Sequence, residues 1–295
     1  MQICVVGNCQ SALVADALAA FHPGAEIVRH NIGDAKVIAG AAEIAASLPA
    51  YDRVFSHPIF DERLGPLRRD AMLAARPDVV FVPGILFGGF QPDCIYVRDE
   101  AGPLPSPLNV YHSAIAAAGF AAGLDVARTV RLFGALTYAR LGYFEEYEAE
   151  RIKLIRHHAR LGLDISDRIG AWQRGGAFMF TVNHPRAAPV TDTVRLVLRQ
   201  RGEAAPDYDD LSDIVGERLW NHPVFPVYPE IGRRIGVPGH TLFRSVVGPD
   251  GVSAPMDLRM FVERSFVIYE AHRERLLAAV PGTPKLAAAL ALLRG

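Results

Sequence analysis

The stretch Gln2-Ile3-Cys4-Val5-Val6-Gly7-Asn8-Cys9-Gln10-Ser11 decides the fold class. Ile3–Val6 is a continuous apolar run of the kind found in a strand covered on both faces. Gly7 lets the chain leave that strand in a tight turn. Helical spacing begins at once over Ser11–Phe21, with Leu13, Ala17, Leu18 and Phe21 on one side and a stop at His22-Pro23-Gly24. A strand, a short turn and a helix form the opening unit of a parallel, helix-flanked sheet.

The pattern then repeats. Glu26–Asn31, Tyr51–Ser56 and Pro77–Pro83 read as further strands, and Ala35–Leu48 and Leu64–Ala75 as the helices between them. After a Gly/Pro-rich passage from Gly84 to Pro107, helices are expected at Ile115–Ala122, Val126–Leu141 and Tyr143–Leu161, and one more strand at Ala177–Val182. The remainder reads as loops and helices near Asp257–Ala279 and Pro284–Leu293. The expected class is α/β, a parallel sheet with a large helical insertion and a helical C-terminal part. Residues 1–109 and 175–202 form the expected core, 110–174 an insertion or cap, and 203–295 a part packed on the core.

The chain has 295 residues, half of them hydrophobic, enough for a substantial core. With 31 basic and 32 acidic side chains the net charge is −1, so no general field draws nucleic acid or anionic lipid toward it. No apolar run reaches the ~20 residues of a spanning helix. The three cysteines show no disulfide framework, which favours a reducing, cytoplasmic setting.

In open parallel sheets ligands sit at the carboxyl ends of the strands. Cys9 falls there, at the start of a helix whose free N–H groups and dipole favour an anion. The helix end should lower a thiol pKa by about one unit at most, so a useful nucleophile needs a base. A small buried thiol is the plain alternative. A dinucleotide fingerprint fails, because glycines would be needed where Cys9 and Ala12 stand. His57 in Ser56-His57-Pro58 and His184 in Asn183-His184-Pro185 close strand candidates on the same sheet edge. His30 ends the second strand, and His112 stands at a helix opening in Tyr111-His112-Ser113. The loop Pro83–Asp93 offers the amides of Gly88 and Gly89 to an oxyanion. No zinc or P-loop spacing occurs.

Five segments in order resemble the WcbI-type polysaccharide-biosynthesis proteins. They are Val6-Gly7-Asn8-Cys9-Gln10, the Pro83–Asp93 loop ending in Gln-Pro-Asp, Tyr111-His112-Ser113, Phe180–Pro185 and Pro226–Ile231. The resemblance spans roughly residues 2–245. It implies an α/β core similar to that of SGNH hydrolases, with cysteine in the place of serine. It also implies acetyl transfer from acetyl-CoA to a sugar of a capsular or other surface polysaccharide. On this chain Cys9 would stand at the acyl centre, Gln10 would polarise the acyl oxygen, and His184 would be the base of a Cys–His dyad. Gly7, Asn8, Arg29, His57, Gly88, Gly89, His112 and Arg186 are the residues expected around coenzyme A. Two alternatives stay open: an esterase or thioesterase, and a coenzyme A or glycan-binding protein without catalysis.

Overall fold

The computed structural model describes residues 1–205, 211, 214–248 and 253–295. The chain divides into two compact units, each assembled from separated segments. The first comprises Met1–Leu86, Leu154–Trp172 and His184–Leu219. The second comprises Phe87–Lys153, Gln173–Asn183 and Trp220–Gly295. The expected helical cap 110–174 is therefore shared between the two units, because its helices find their packing partners far away in sequence.

The first unit holds the sheet. Its strands are β1 (Gln2–Gly7), β2 (Glu26–Asn31), β3 (Arg53–Ser56) and β4 (Val80–Phe81). They pair in parallel in the order β2-β1-β3-β4. The fold class is the α/β arrangement expected, with β4 shorter than the run Pro77–Pro83. Side chains alternate across a strand. Cys4 and Val6 join Val54, Ala41, Leu48 and Met72 in one apolar cluster, which leaves Ile3 and Val5 to the opposite face. The Ile3, Cys4, Val5 and Val6 side chains are at most 2 % exposed. Helix α1 (Ser11–Phe21) buries Leu13, Val14, Ala17, Leu18 and Phe21, one continuous stripe at helical spacing. It packs on the helix Ala187–Gln200. The expected helix Ala35–Leu48 is broken at Gly40 into α2 (Ala35–Ala39) and α3 (Ala41–Ser47). The region 64–75 is a 3-10 turn interrupted at Gly65-Pro66, followed by α4 (Arg69–Ala75).

The sheet order has a consequence for function. The chain leaves β1 toward β2, then crosses back to β3 on the other side of β1. The topological switch point, where ligands collect in such sheets, lies between the carboxyl ends of β1 and β3.

The second unit is helical, built around an aromatic core in which Phe243 stacks on Phe261 at 4.0 Å and Tyr138 on Tyr228 at 5.4 Å. The helix Ala114–Ala121 is buried on nearly every side and packs on Leu258–Ala271 and Pro284–Arg294. Tyr111–Ser113 leads straight into that helix, as expected. It is a short strand paired antiparallel with Cys94–Tyr96, and the hydroxyl of Ser113 caps the helix that follows.

Three buried imidazoles make the fold acid-sensitive. Burial pushes His57, His112 and His158 down from 6.5 to about 4. Between those values the unfolded chain takes up protons that the folded chain refuses, so stability is full above 6.5 and declines as pH falls. Asp93, pushed up from 3.8 by burial, acts in the opposite sense, one group against three. The thermal midpoint should therefore drop steadily between pH 7 and pH 4.5; a flat profile would mean that burial does not hold these rings neutral.

Candidate functional site

The turn after β1 is held on three sides. The Gly7 carbonyl accepts from the Ile32 N–H at 2.8 Å, and the Val6 carbonyl from the His57 N–H at 2.9 Å, which carries the ladders past the strand ends. Asn8 then folds the chain into α1. Its Oδ1 accepts from the Gln10 N–H at 2.9 Å, and its carbonyl from the Ser11 N–H at 2.9 Å. Gln10 is 1 % exposed and clamps the loop after β4: its Nε2 donates to the Ile85 carbonyl at 2.8 Å, and its Oε1 accepts from the Ile85 N–H at 2.9 Å. That reciprocal pair makes Gln10 a brace for the turn. It occupies the groups that sequence reasoning assigned to polarising an acyl oxygen.

Cys9 stands half-buried in this turn as a free thiol. Burial pushes its pKa up, against the opposing pull of the Cys9 and Gln10 backbone N–H groups. The expected depression by the helix end is thus outweighed by desolvation. Cys9 rests as a thiol and needs a base to react.

His57 lies against the same turn. Its Nδ1 accepts from the Asn8 N–H at 3.2 Å, and the ring is 7 % exposed. A β-carbon on Gly7 would come within 3.0 Å of both Cγ and Cε1, and closer still to Nδ1. Gly7 therefore has a role beyond turning: it leaves room for the imidazole at the switch point.

The remaining expected residues divide between the units. In the first, Arg29 stands on β2 with one long contact, 3.4 Å to Ser11 Oγ. His184 begins the two-residue strand His184–Pro185 and is 5 % exposed. Arg186 follows it, 3.9 Å from the Glu217 carboxylate, which also accepts from the Ala187 N–H at 2.9 Å. A groove of about 440 Å³ runs along α1, lined by Ala12, Ala15, Ala19, Ile27, Arg29 and Arg218 among others. Arg218 is held there by Asp16.

In the second unit, the Gly88 N–H already donates to Glu150 Oε2 at 3.0 Å, and Gly89 is pressed between the Phe87 ring and the Tyr147 backbone. His112 is fully buried, with Nδ1 at 3.0 Å from the Tyr269 hydroxyl and Nε2 at 3.1 Å from the Leu104 carbonyl. Packing accounts for all three of these residues. Among the described residues no group of three or more His, Cys, Asp or Glu is placed to hold a metal ion.

A family model described as the polysaccharide biosynthesis enzyme WcbI matches residues 2–206 of the chain. This chain belongs to the WcbI family. The match covers every residue of the turn, β2, His57 and His184. Among solved structures, the chain is similar to a WcbI protein described as a novel polysaccharide biosynthesis enzyme, in its native form without a disulfide bond between coenzyme A and one of its cysteines. The two share 16 % identity over 98 % of each chain with a TM-score of 0.61, a likeness of fold. No curated protein matches the chain in sequence.

Sequence reasoning about this WcbI-family chain missed two features. The Gln10–Ile85 clamp joins residues 75 positions apart and leaves no local signal. The other is Asp93, fully buried, which accepts from Tyr143 Oη at 2.9 Å, Tyr228 Oη at 2.8 Å and the Ile115 N–H at 3.0 Å. The only hint was an acidic residue following Gln91-Pro92 in an otherwise apolar loop.

Proposed function

We propose that this WcbI-family chain is a coenzyme A-dependent acyltransferase that moves an acetyl group from acetyl-CoA to a sugar hydroxyl of a capsular or other surface polysaccharide. The observation that carries the proposal is the placement of Cys9 at the sheet's switch point, in a braced turn at the start of α1. Gln10, in the capping position, makes no side-chain bond to the first-turn amides of that helix. Beyond Ser11, whose N–H goes to the Asn8 carbonyl, first-turn amides that no side chain caps suit an anionic or polarised oxygen. The groove along α1, with Arg29 and Arg218 in its lining, suits the phosphates of coenzyme A. A WcbI protein described with reference to a disulfide between coenzyme A and a cysteine supports a thiol partner for the cofactor.

The chemistry divides into two steps. A base, which we assign to His184, takes the Cys9 proton as the thiolate attacks the thioester carbonyl. The C–S bond to coenzyme A breaks, and the departing thiolate recovers the proton from the imidazolium. The sugar hydroxyl then gives its proton to His184 and attacks acetyl-Cys9, and Cys9 leaves and is reprotonated. The cytoplasm suits both the donor and three unpaired thiols.

The test begins with titration calorimetry of the protein with coenzyme A and acetyl-CoA. Micromolar binding, followed by an acetyl adduct on the Cys9 peptide that Cys9→Ala lacks, is the expected result. Absence of binding would sink the proposal. Binding with unimpaired transfer by Cys9→Ala would leave direct attack by the sugar in place of the acyl-enzyme. Because Cys9 rests as a thiol, alkylation by iodoacetamide should be slow at pH 7 and keep accelerating beyond pH 9. A rate already at its plateau near pH 7 would contradict the burial effect.

A further inference from the structure

We propose that His57 serves this site as a fixed, neutral hydrogen-bond donor, its Nε2–H offered to the carbonyl or developing oxyanion of a ligand in the Gly7–Gln10 turn, and not as a base. The role as donor to an acyl oxygen rests on the reading of the site given above; the protonation pattern does not.

The argument starts from what a backbone amide can do. The Asn8 N–H donates and never accepts, so the ring nitrogen it meets at 3.2 Å must be bare. A neutral imidazole with a bare Nδ1 carries its proton on Nε2. Protonating Nδ1 would set two N–H groups against each other inside the fold. The ring cannot turn away easily, because it lies against Gly7, where even a methyl group would overlap it. Two further influences act in the same direction: burial first, then the neighbouring His157, whose positive charge, once it takes up a proton, opposes a second one on this ring.

The other end of the ring is different. Nε2 has no hydrogen-bond partner among the described residues, and it is absent from the side-chain atoms sealed away without one. A donor fixed at one end by the main chain and open at the other acts on a ligand without reorganising. That preorganisation is what stabilises charge developing on oxygen. His57 thus has a division of labour with His184: one ring holds its proton throughout, and the other exchanges it.

Nitrogen-15 NMR of histidine-labelled wild-type protein tests the protonation pattern. The His57 ring should show a bare Nδ1 and a protonated Nε2, unchanged from pH 8.5 to pH 5.5. A proton on Nδ1, or a titration within that range, would overturn the proposal. Two substitutions test the role. In His57→Gln, the carbonyl can accept from Asn8 and the amide can donate outward, yet the side chain cannot act as a base. His57→Ala removes both functions. Turnover of acetyl-CoA should be largely kept in His57→Gln and fall about 100-fold or more in His57→Ala, the usual cost of one oxyanion donor. Equal loss in both variants, or no loss in either, would overturn the donor role. If the wild type neither binds nor turns over acetyl-CoA, the acyltransferase reading fails and so does the acyl-oxygen role; the NMR result then stands or falls by itself.

Discussion

Asp93→Ala should unfold the second unit or bring it close to unfolding. The Asp93 carboxylate is fully buried and receives Tyr143, Tyr228, Ser113 and the Ile115 amide. These groups come from Tyr111–Ser113, the helix Ala114–Ala121 and two distant segments, so one side chain ties four parts of the unit together. Removing it strands several donors in an aromatic core that water does not reach. Each buried unsatisfied group costs about 1–3 kcal/mol, and the sum, on the order of 5 kcal/mol, approaches the whole stability of a domain. Asp93→Asn should be far milder. One oxygen remains to accept, and a tyrosine hydroxyl can rotate to accept from the new amide. Urea unfolding of the three proteins checks this. A cost under about 1 kcal/mol for the alanine variant would show that the donors find other partners.

Gly7→Ala should damage the site out of proportion to its size. Gly7 is not in a left-handed conformation, so alanine meets no backbone strain there. The added methyl group meets the His57 ring instead. Overpacking of this kind costs about 1–3 kcal/mol. The ring must move off the Asn8 amide, and acetyl transfer should fall with it. A double-mutant cycle isolates the cause: in a His57→Ala background the stability cost of Gly7→Ala should largely vanish, a coupling of about 1 kcal/mol or more. Additive costs would place the strain somewhere other than the ring.

The strand–turn–helix opening was readable because its signals are local. Ile3–Val6 is apolar throughout, Gly7 breaks the run, and Leu13, Ala17, Leu18 and Phe21 repeat at helical spacing. The strand Glu26–Asn31 appears with the bounds expected. Helix interruptions were less legible. Gly40 divides one expected helix, and the segments Val126–Val130 and Ala135–Arg140 replace another, because where a helix bends depends on what each half packs against. Cys9 was located correctly in the turn, but its acidity was not: the sequence shows a helix start, and only the fold shows the burial that outweighs it.

The sequence by itself determined the class of the fold and the position of its first turn, because periodicity and a single glycine are properties of neighbouring residues. The tertiary structure decided which residues belong to that turn. Pairing of β1 with β3 brings Ser56-His57 beside Gly7-Asn8, and the main-chain amide of Asn8 then dictates which ring nitrogen carries the proton. It also decided that Gln10 braces, that His112 is core and that Asp93 is a hub. Each of those roles depends on a partner more than twenty residues away, and hydrogen-bond partners at that distance are chosen by packing, not by local pattern.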